Sequence, residues 1–187
     1  SRIHTIAIID KNTGGVRWRW GRGEIAHQND TTFVTSGNVL LFDNGVHCYG
    51  YPMGFSRSRA VKAENHRMVW AYEDTPRSNF YSSIMGSCQR LPNGNTLICE
   101  TTTGRIFEVS PGHEIVWEFT SPFFHQSSVY GRNNYIFRAY RYGPDYEGLK
   151  GSLRCDELQG KARPRVEKFY TSKSEQAVRK RIESLGY

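Results

Sequence analysis

LPNGNTLICETTTGRIFEVSPGHEIVWEF (residues 91–119) packs three short apolar runs into one stretch, and a turn signal closes each run. Runs of this length between Gly- and Asn-rich turns read as strands of an antiparallel sheet. The pattern recurs. GNVLLFDNG (37–45) aligns with GNTLICETTTG (94–104) at a spacing of 57 residues. A second motif occurs three times, as a strand end, a polar turn and a strand centred on tryptophan: IIDKNTGGVRWRW (8–20), KAENHRMVWAYE (62–73) and EVSPGHEIVWEF (108–119). Its tryptophans, Trp18, Trp70 and Trp117, lie 52 and 47 residues apart. Two positions on stand Trp20, Tyr72 and Phe119, on the same strand face by the period of two. A repeat near 50 residues built of four short strands is the signature of a propeller blade.

The repeat sets the expected boundaries. One whole blade has an inner pair over 31–35 and 39–43 and an outer pair over 58–63 and 68–72. The next has strands over 83–90, 96–100, 105–109 and 115–119. Before them stands an outer pair alone, over 5–9 and 16–20, and after them an inner pair alone, over 127–130 and 135–140. The expected fold is therefore all-β: a partial β-propeller of two whole and two half blades in residues 1–142. Propellers need about four or more blades to close, and open sheet edges invite pairing. Another chain or chain segment is thus expected to supply the remaining blades. A self-contained small β domain is the alternative.

Residues 143–187 read as a loop and a basic tail. From Lys150 onward there are ten basic and five acidic residues, so +5 of the net +7 sits there. SKSEQAVRKRIESLGY (172–187) reads as a short helix, with Ser172 and Glu175 as a capping box and Val178, Ile182 and Leu185 on one face. No RNA-binding aromatic motif accompanies the charge, so nucleic acid is not the expected partner. No apolar run reaches transmembrane length. None of Cys48, Cys88, Cys99 and Cys155 forms a C-x-x-C pair, which gives no support for a zinc or redox site.

QRLPNGNTLICE, GRIFEVSPGHEIVWEF and NVLLFDNG with its following SRAV resemble the arylsulfotransferase-type β-propellers, often grouped with quinoprotein-like propellers. The resemblance covers residues 3–142 and implies a six-bladed ring and a periplasmic or secreted location. It also implies transfer of a sulfuryl group between an aryl sulfate and a phenol, through a transiently sulfated histidine in the axial channel and without cofactor or metal. A neutral imidazole can attack sulfur while cationic or hydrogen-bonding groups hold the sulfate oxygens.

His27 and Asn29, in AHQND, match the family's H-x-N pair at the start of an innermost strand. They are the expected nucleophile or acid–base group and oxyanion donor, with strand capping as the plain alternative. His125, in FFHQSS, repeats the His-Gln start and is the expected auxiliary catalytic histidine, with a satisfied strand-start histidine as the plain alternative. Arg59 is the candidate sulfate clamp, because its planar fork suits an oxyanion, and an ion pair between blades is the plain alternative. His47, in DNGVHCYG, is a further substrate-binding candidate. His66 and His113 fall in outer turns and read as solvent-facing. One departure matters: YSSIMGSCQR (81–90) has no histidine where active members carry their nucleophile. It offers Ser87 and Cys88, best read as small residues of a packed strand. Three functions stay open: a His-centred sulfotransferase-like propeller, a non-catalytic binding or assembly module, and an enzyme of different chemistry on the same channel.

Overall fold

The computed structural model describes residues 3–34, 37–46, 55–143 and 146–149. It divides into residues 1–141 and 142–187. The first unit holds twelve strands: β1 (Ile6–Ile9), β2 (Val16–Trp20), β3 (Asn29–Phe33), β4 (Asn38–Asp43), β5 (Arg57–Lys62), β6 (Met68–Tyr72), β7 (Ser87–Arg90), β8 (Thr96–Glu100), β9 (Arg105–Val109), β10 (Ile115–Thr120), β11 (His125–Ser127) and β12 (Gly131–Asn133). All pair antiparallel with their sequence neighbours, as sheets β1–β2, β3 to β6, β7 to β10 and β11–β12. The fold is all-β, and its sheets show the half, whole, whole, half division expected of blades. In the second unit, the Tyr142 and Tyr146 rings pack at a tilt of 36° with centroids 4.4 Å apart. The expected helix over 172–187 lies outside the described residues.

Two expected strands differ. The third sheet begins at Ser87 rather than near 83, because Met85 and Gly86 adopt left-handed backbone (φ 58° and 92°) and cannot continue a strand. A Cβ on Gly86 would lie 2.6 Å from the Phe42 ring, so only glycine fits there. Residues 135–140 do not pair with 127–130. The hairpin closes earlier, at Gly131, and the following segment runs along β7. Side chains supply its backbone partners: the Ser87 hydroxyl accepts from the Ala139 N–H (3.1 Å), and the Gln89 amide both accepts from the Arg141 N–H (2.7 Å) and donates to the Arg141 carbonyl (2.9 Å).

β4 is apolar at consecutive positions because it is covered on both faces. Leu40 and Phe42 join Tyr72, Phe80, Cys88, Ile98, Phe107 and Val109 in one cluster. Val39 and Leu41 join Ile6 and Ile25 in another, against Trp18 and Trp20. The outer turns add ring contacts. Gly14, His66 and His113 each stand four residues before their blade's tryptophan, and all have left-handed φ. His66 stacks on Trp18 (5.5 Å) and His113 meets Trp70 edge-on (5.7 Å), so each turn histidine packs against the sheet before it.

An acid ends the second strand of each four-stranded sheet. Asp43 is fully buried and faces Arg57 across the strands; Glu100 faces Arg105 in the same register relation. Asp43 takes two hydrogen bonds from Arg57 (3.0 and 2.5 Å) and one from the Ala26 N–H (2.9 Å). Glu100 lies 3.3 Å from Arg105 and accepts the Tyr81 N–H at 3.0 Å. Each acid thus ties the segment before its own blade to the strand beside it. Removing one partner of a buried pair leaves the other charge uncompensated. Asp43→Ala is expected to cost about 3–5 kcal/mol, read as a lowered urea midpoint. A loss below about 1 kcal/mol, the range of exposed pairs, would show that the latch is not holding the sheets.

Candidate functional site

His27 sits where the chain turns into β3. Ile25 and Ala26 are buried, and the Asp43 bond pins Ala26. The backbone then takes a left-handed step at His27 (φ 57°). Such a conformation persists where surroundings hold it, and here they do. The His27 N–H donates to Nδ1 of His4 (3.1 Å), and the two rings meet at 5.0 Å and 63°. As an acceptor, that His4 nitrogen carries no proton, so the His4 ring proton is on Nε2. Gln28 donates to the Thr5 carbonyl (2.8 Å). Asn29 donates one amide hydrogen to the His27 carbonyl (3.1 Å) and one to Asn44 Oδ1 (2.6 Å). Asn44 in turn donates to the carbonyls of Ser82 (2.7 Å) and Met85 (2.9 Å), in the loop before β7.

Arg59 is 8% exposed. It donates to the Glu24 carbonyl (2.5 Å), lies 3.5 Å from the Glu24 carboxylate and 3.6 Å from Asp43, and stands over the Trp20 ring (5.3 Å). Burial and the neighbouring Arg57 charge draw its guanidinium below the ordinary arginine value, with Asp43 and Glu24 opposing. Asp43 also holds Ala26, so one carboxylate separates Arg59 from the residue before His27. His125 opens β11 opposite Asn133 and is exposed. It opens the two-stranded sheet β11–β12, apart from the sheet of β3 to β6 that His27 leads into. His47 lies outside the described residues.

A second group of residues was not singled out from the sequence. Asp30, also left-handed (φ 48°), has a side chain only 3% exposed. Its Oδ2 accepts the Cys88 N–H (3.0 Å); its Oδ1 accepts the Tyr140 hydroxyl and lies 3.7 Å from Arg138. Its partners Cys88 and Tyr140, though not Asp30 itself, line a pocket of about 480 Å³ between the ends of β3 and β7, with Phe33, Val34, Arg90 and Pro92 also in the wall. Arg90 stands 4.5 Å above the Trp70 ring. Asp30 adjoins the H-x-N pair in sequence, but Tyr140 lies 110 residues away, and no local pattern announces such a partner.

The family model for arylsulfotransferase (ASST) matches residues 1–122. The chain belongs to the arylsulfotransferase family. No curated protein and no solved structure matches it. Membership supports a sulfotransferase-like function in general. The matched region contains His4, His27, Asn29, Asp30 and Arg59, while His125 and Tyr140 lie beyond it. No helix among the described residues is long and apolar enough to cross a membrane, and none of their His, Cys, Asp and Glu side chains form a metal-binding group.

In this chain the residues standing where a nucleophilic histidine is expected, Ser87 and Cys88, are buried in the packed sheet. Ser87 is fully buried, and its hydroxyl is engaged with both backbone groups of Ala139. Cys88 is also fully buried, and burial pushes its thiol far up. Cys99 donates to the Ile136 carbonyl, and burial raises its thiol to about 12. A thiol with a raised folded value favours folding fully below the unfolded value, about 8.5, and that contribution is lost as pH rises toward 12. Peptide mapping after iodoacetamide treatment of the native protein at neutral pH should find Cys88 and Cys99 unmodified. Rapid alkylation of Cys88 would reinstate it as a nucleophile.

Proposed function

We propose that residues 1–142 form the His27-bearing part of an arylsulfotransferase propeller, which moves a sulfuryl group from an aryl sulfate to a phenol, and that 143–187 is an appended tail. The observation that carries this reading is the fixation of His27. The Asp43 bond to the Ala26 N–H, the His4 bond to the His27 N–H and the Asn29 bond to the His27 carbonyl fix its backbone, and the His4 ring lies against its imidazole at 5.0 Å. A surface histidine at a strand start needs no such clamp, whereas a group that must meet sulfur in line does.

The chemistry follows from neutral imidazole. A ring nitrogen of His27 attacks sulfur, the N–S bond forms, and the S–O(aryl) bond breaks with its electron pair leaving on the phenolate oxygen. In the return step a second phenol oxygen attacks sulfur and the N–S pair goes back to the ring. Asn29, with both hydrogens engaged, is a positioning residue. Arg59 supplies positive charge next to the loop through Asp43. His125 and His47 are assigned auxiliary contacts to the substrate. The remaining blades, from another chain or segment, would enclose the substrate in an axial channel.

A second reading, a non-catalytic binding module, is favoured by one observation: no histidine lines the pocket between β3 and β7. Incubation of the full chain with 4-nitrophenyl sulfate and an acceptor phenol separates the two. Wild type should release nitrophenolate and carry one sulfuryl group on the peptide containing His27. His27→Asn, which tolerates the left-handed backbone, should lower kcat roughly 100-fold or more, while His66→Asn should not. Equal turnover in His27→Asn would sink the reading, and binding of the aryl sulfate without any turnover would favour the module.

A further inference from the structure

Sulfuryl transfer needs two aromatic ligands in turn, a sulfated donor and a phenol acceptor, and the His27 clamp addresses only the first. We propose that the cleft between β3 and β7 seats the acceptor phenol, that Asp30 receives its hydroxyl, and that Tyr140 occupies this seat in the present state. The proposal rests on the His27 reading above for its place in the reaction, and on separate contacts for its geometry.

Asp30 is already bonded to a phenol. The Tyr140 hydroxyl donates to Oδ1, so the carboxylate accepts a phenolic O–H in this position. The other oxygen is fixed by the Cys88 N–H, which orients the group. Arg138 brings a positive charge toward the oxygen that Tyr140 uses. The adjoining pocket, about 480 Å³ with Phe33, Val34 and Pro92 in its wall, falls in the range of small-molecule sites. Asp30 follows His27 by three residues, so their Cα atoms are at most about 11 Å apart. The two residues thus belong to one short stretch of chain at the entry to β3.

Tyr140 is suited to be a temporary occupant. It is 38% exposed and belongs to the segment 135–141, which has no strand pairing and whose backbone is held by the side chains of Ser87, Gln89, Cys99 and Thr101. Burial and the Asp30 bond raise its phenol to about 12, so it is a neutral donor.

A carboxylate also separates acceptor from product. A phenol has an O–H to give and no charge. An aryl sulfate has no such donor and carries a negative charge that the carboxylate repels. In the transfer step the phenol proton passes to Asp30 as the phenol oxygen attacks sulfur. The S–O bond forms, the S–N bond to His27 breaks, and its electron pair returns to the imidazole. The Asp30 proton then leaves to solvent, and the anionic product is expelled.

Binding without turnover tests this. 2-Naphthol and 2-naphthyl sulfate are titrated calorimetrically into the full chain, with no donor and acceptor present together. Tyr140→Ala should bind naphthol several-fold tighter, because the self-occupied state no longer competes. Asp30→Asn keeps a side chain that tolerates left-handed backbone and can accept the Cys88 N–H. It should lose most of the preference for naphthol over naphthyl sulfate. Unchanged or weaker naphthol binding in Tyr140→Ala, a preserved preference in Asp30→Asn, or a sulfuryl group mapped to Tyr140 would overturn the proposal. His66→Asn, in an outer turn and outside the cleft lining, should bind naphthol as wild type does. Naphthol binding that responds as expected alongside turnover insensitive to His27 would sink the His27 reading alone, and the reverse would sink the Asp30 seat alone.

Discussion

The buried carboxylate that ends the second strand of each four-stranded sheet is the constraint on which the rest depends. Asp43 and Glu100 occupy equivalent positions of the repeat, 57 residues apart, and each meets an arginine directly across the register. A carboxylate without partners could not remain at these depths. Satisfying it draws in more than the arginine. Asp43 takes the Ala26 N–H and Glu100 the Tyr81 N–H, so the segment before the blade is fastened at the same point. Cross-strand register and the placement of the preceding segment are therefore set by one side chain, and at Asp43 that segment is the approach to His27.

The sheets were legible because the repeat is regular where side chains pack on both faces. GNVLLFDNG and GNTLICETTTG announce β4 and β8 through continuous apolar runs, and the tryptophan motif announces β2, β6 and β10. What failed to show was structure made by single long-range bonds. Residues 135–140 have the composition of a strand, yet the side chains of Cys99, Thr101 and Ser87, and not a partner strand, bond the backbone of Ile136, Phe137 and Ala139. The turn histidines were read as solvent-facing because each lies in a polar turn. They are exposed, but Trp18 and Trp70 lie under them. At the site, the His27 and Asn29 pair was visible as a motif and Asp30 adjoins it, whereas Asn44, His4 and Tyr140 bond these residues from 15, 23 and 110 positions away.

The same repeat explains an exposed surface. Trp70 lies between Arg90 and His113. Trp117 has Arg141 at 5.1 Å, but no turn histidine meets it among the described residues. Trp117 and Phe119 are 43% and 42% exposed, and every residue of β10 is open. The equivalent β6 is largely covered, with Tyr72 buried. A stripe of aromatic residues on one strand face is the surface that stacked sheets bury against each other. The proposed further blades have a natural place there, and the chemistry they need is already displayed twice in this chain: an outer hairpin with a ring at its left-handed turn.

The two halves of the candidate site are mechanically joined, and this bears on how a reaction there could be ordered. Asn29 fixes the His27 carbonyl and, through Asn44, the carbonyls of Ser82 and Met85. Met85 lies two residues before Ser87, which holds Ala139 next to Tyr140. Asp30, the residue after Asn29, closes the circuit by bonding both Cys88 and Tyr140. Displacing Tyr140 thus removes one of three partners from Asp30 while the Cys88 bond and the Asn29–Asn44 link stay in place. In the proposed scheme the seat would be vacated without releasing His27, because the His27 backbone is held by His4 and Asn29 and, through Ala26, by Asp43, none of which bonds Tyr140. An enzyme that must keep its nucleophile fixed while exchanging one aromatic ligand for another requires this separation of supports.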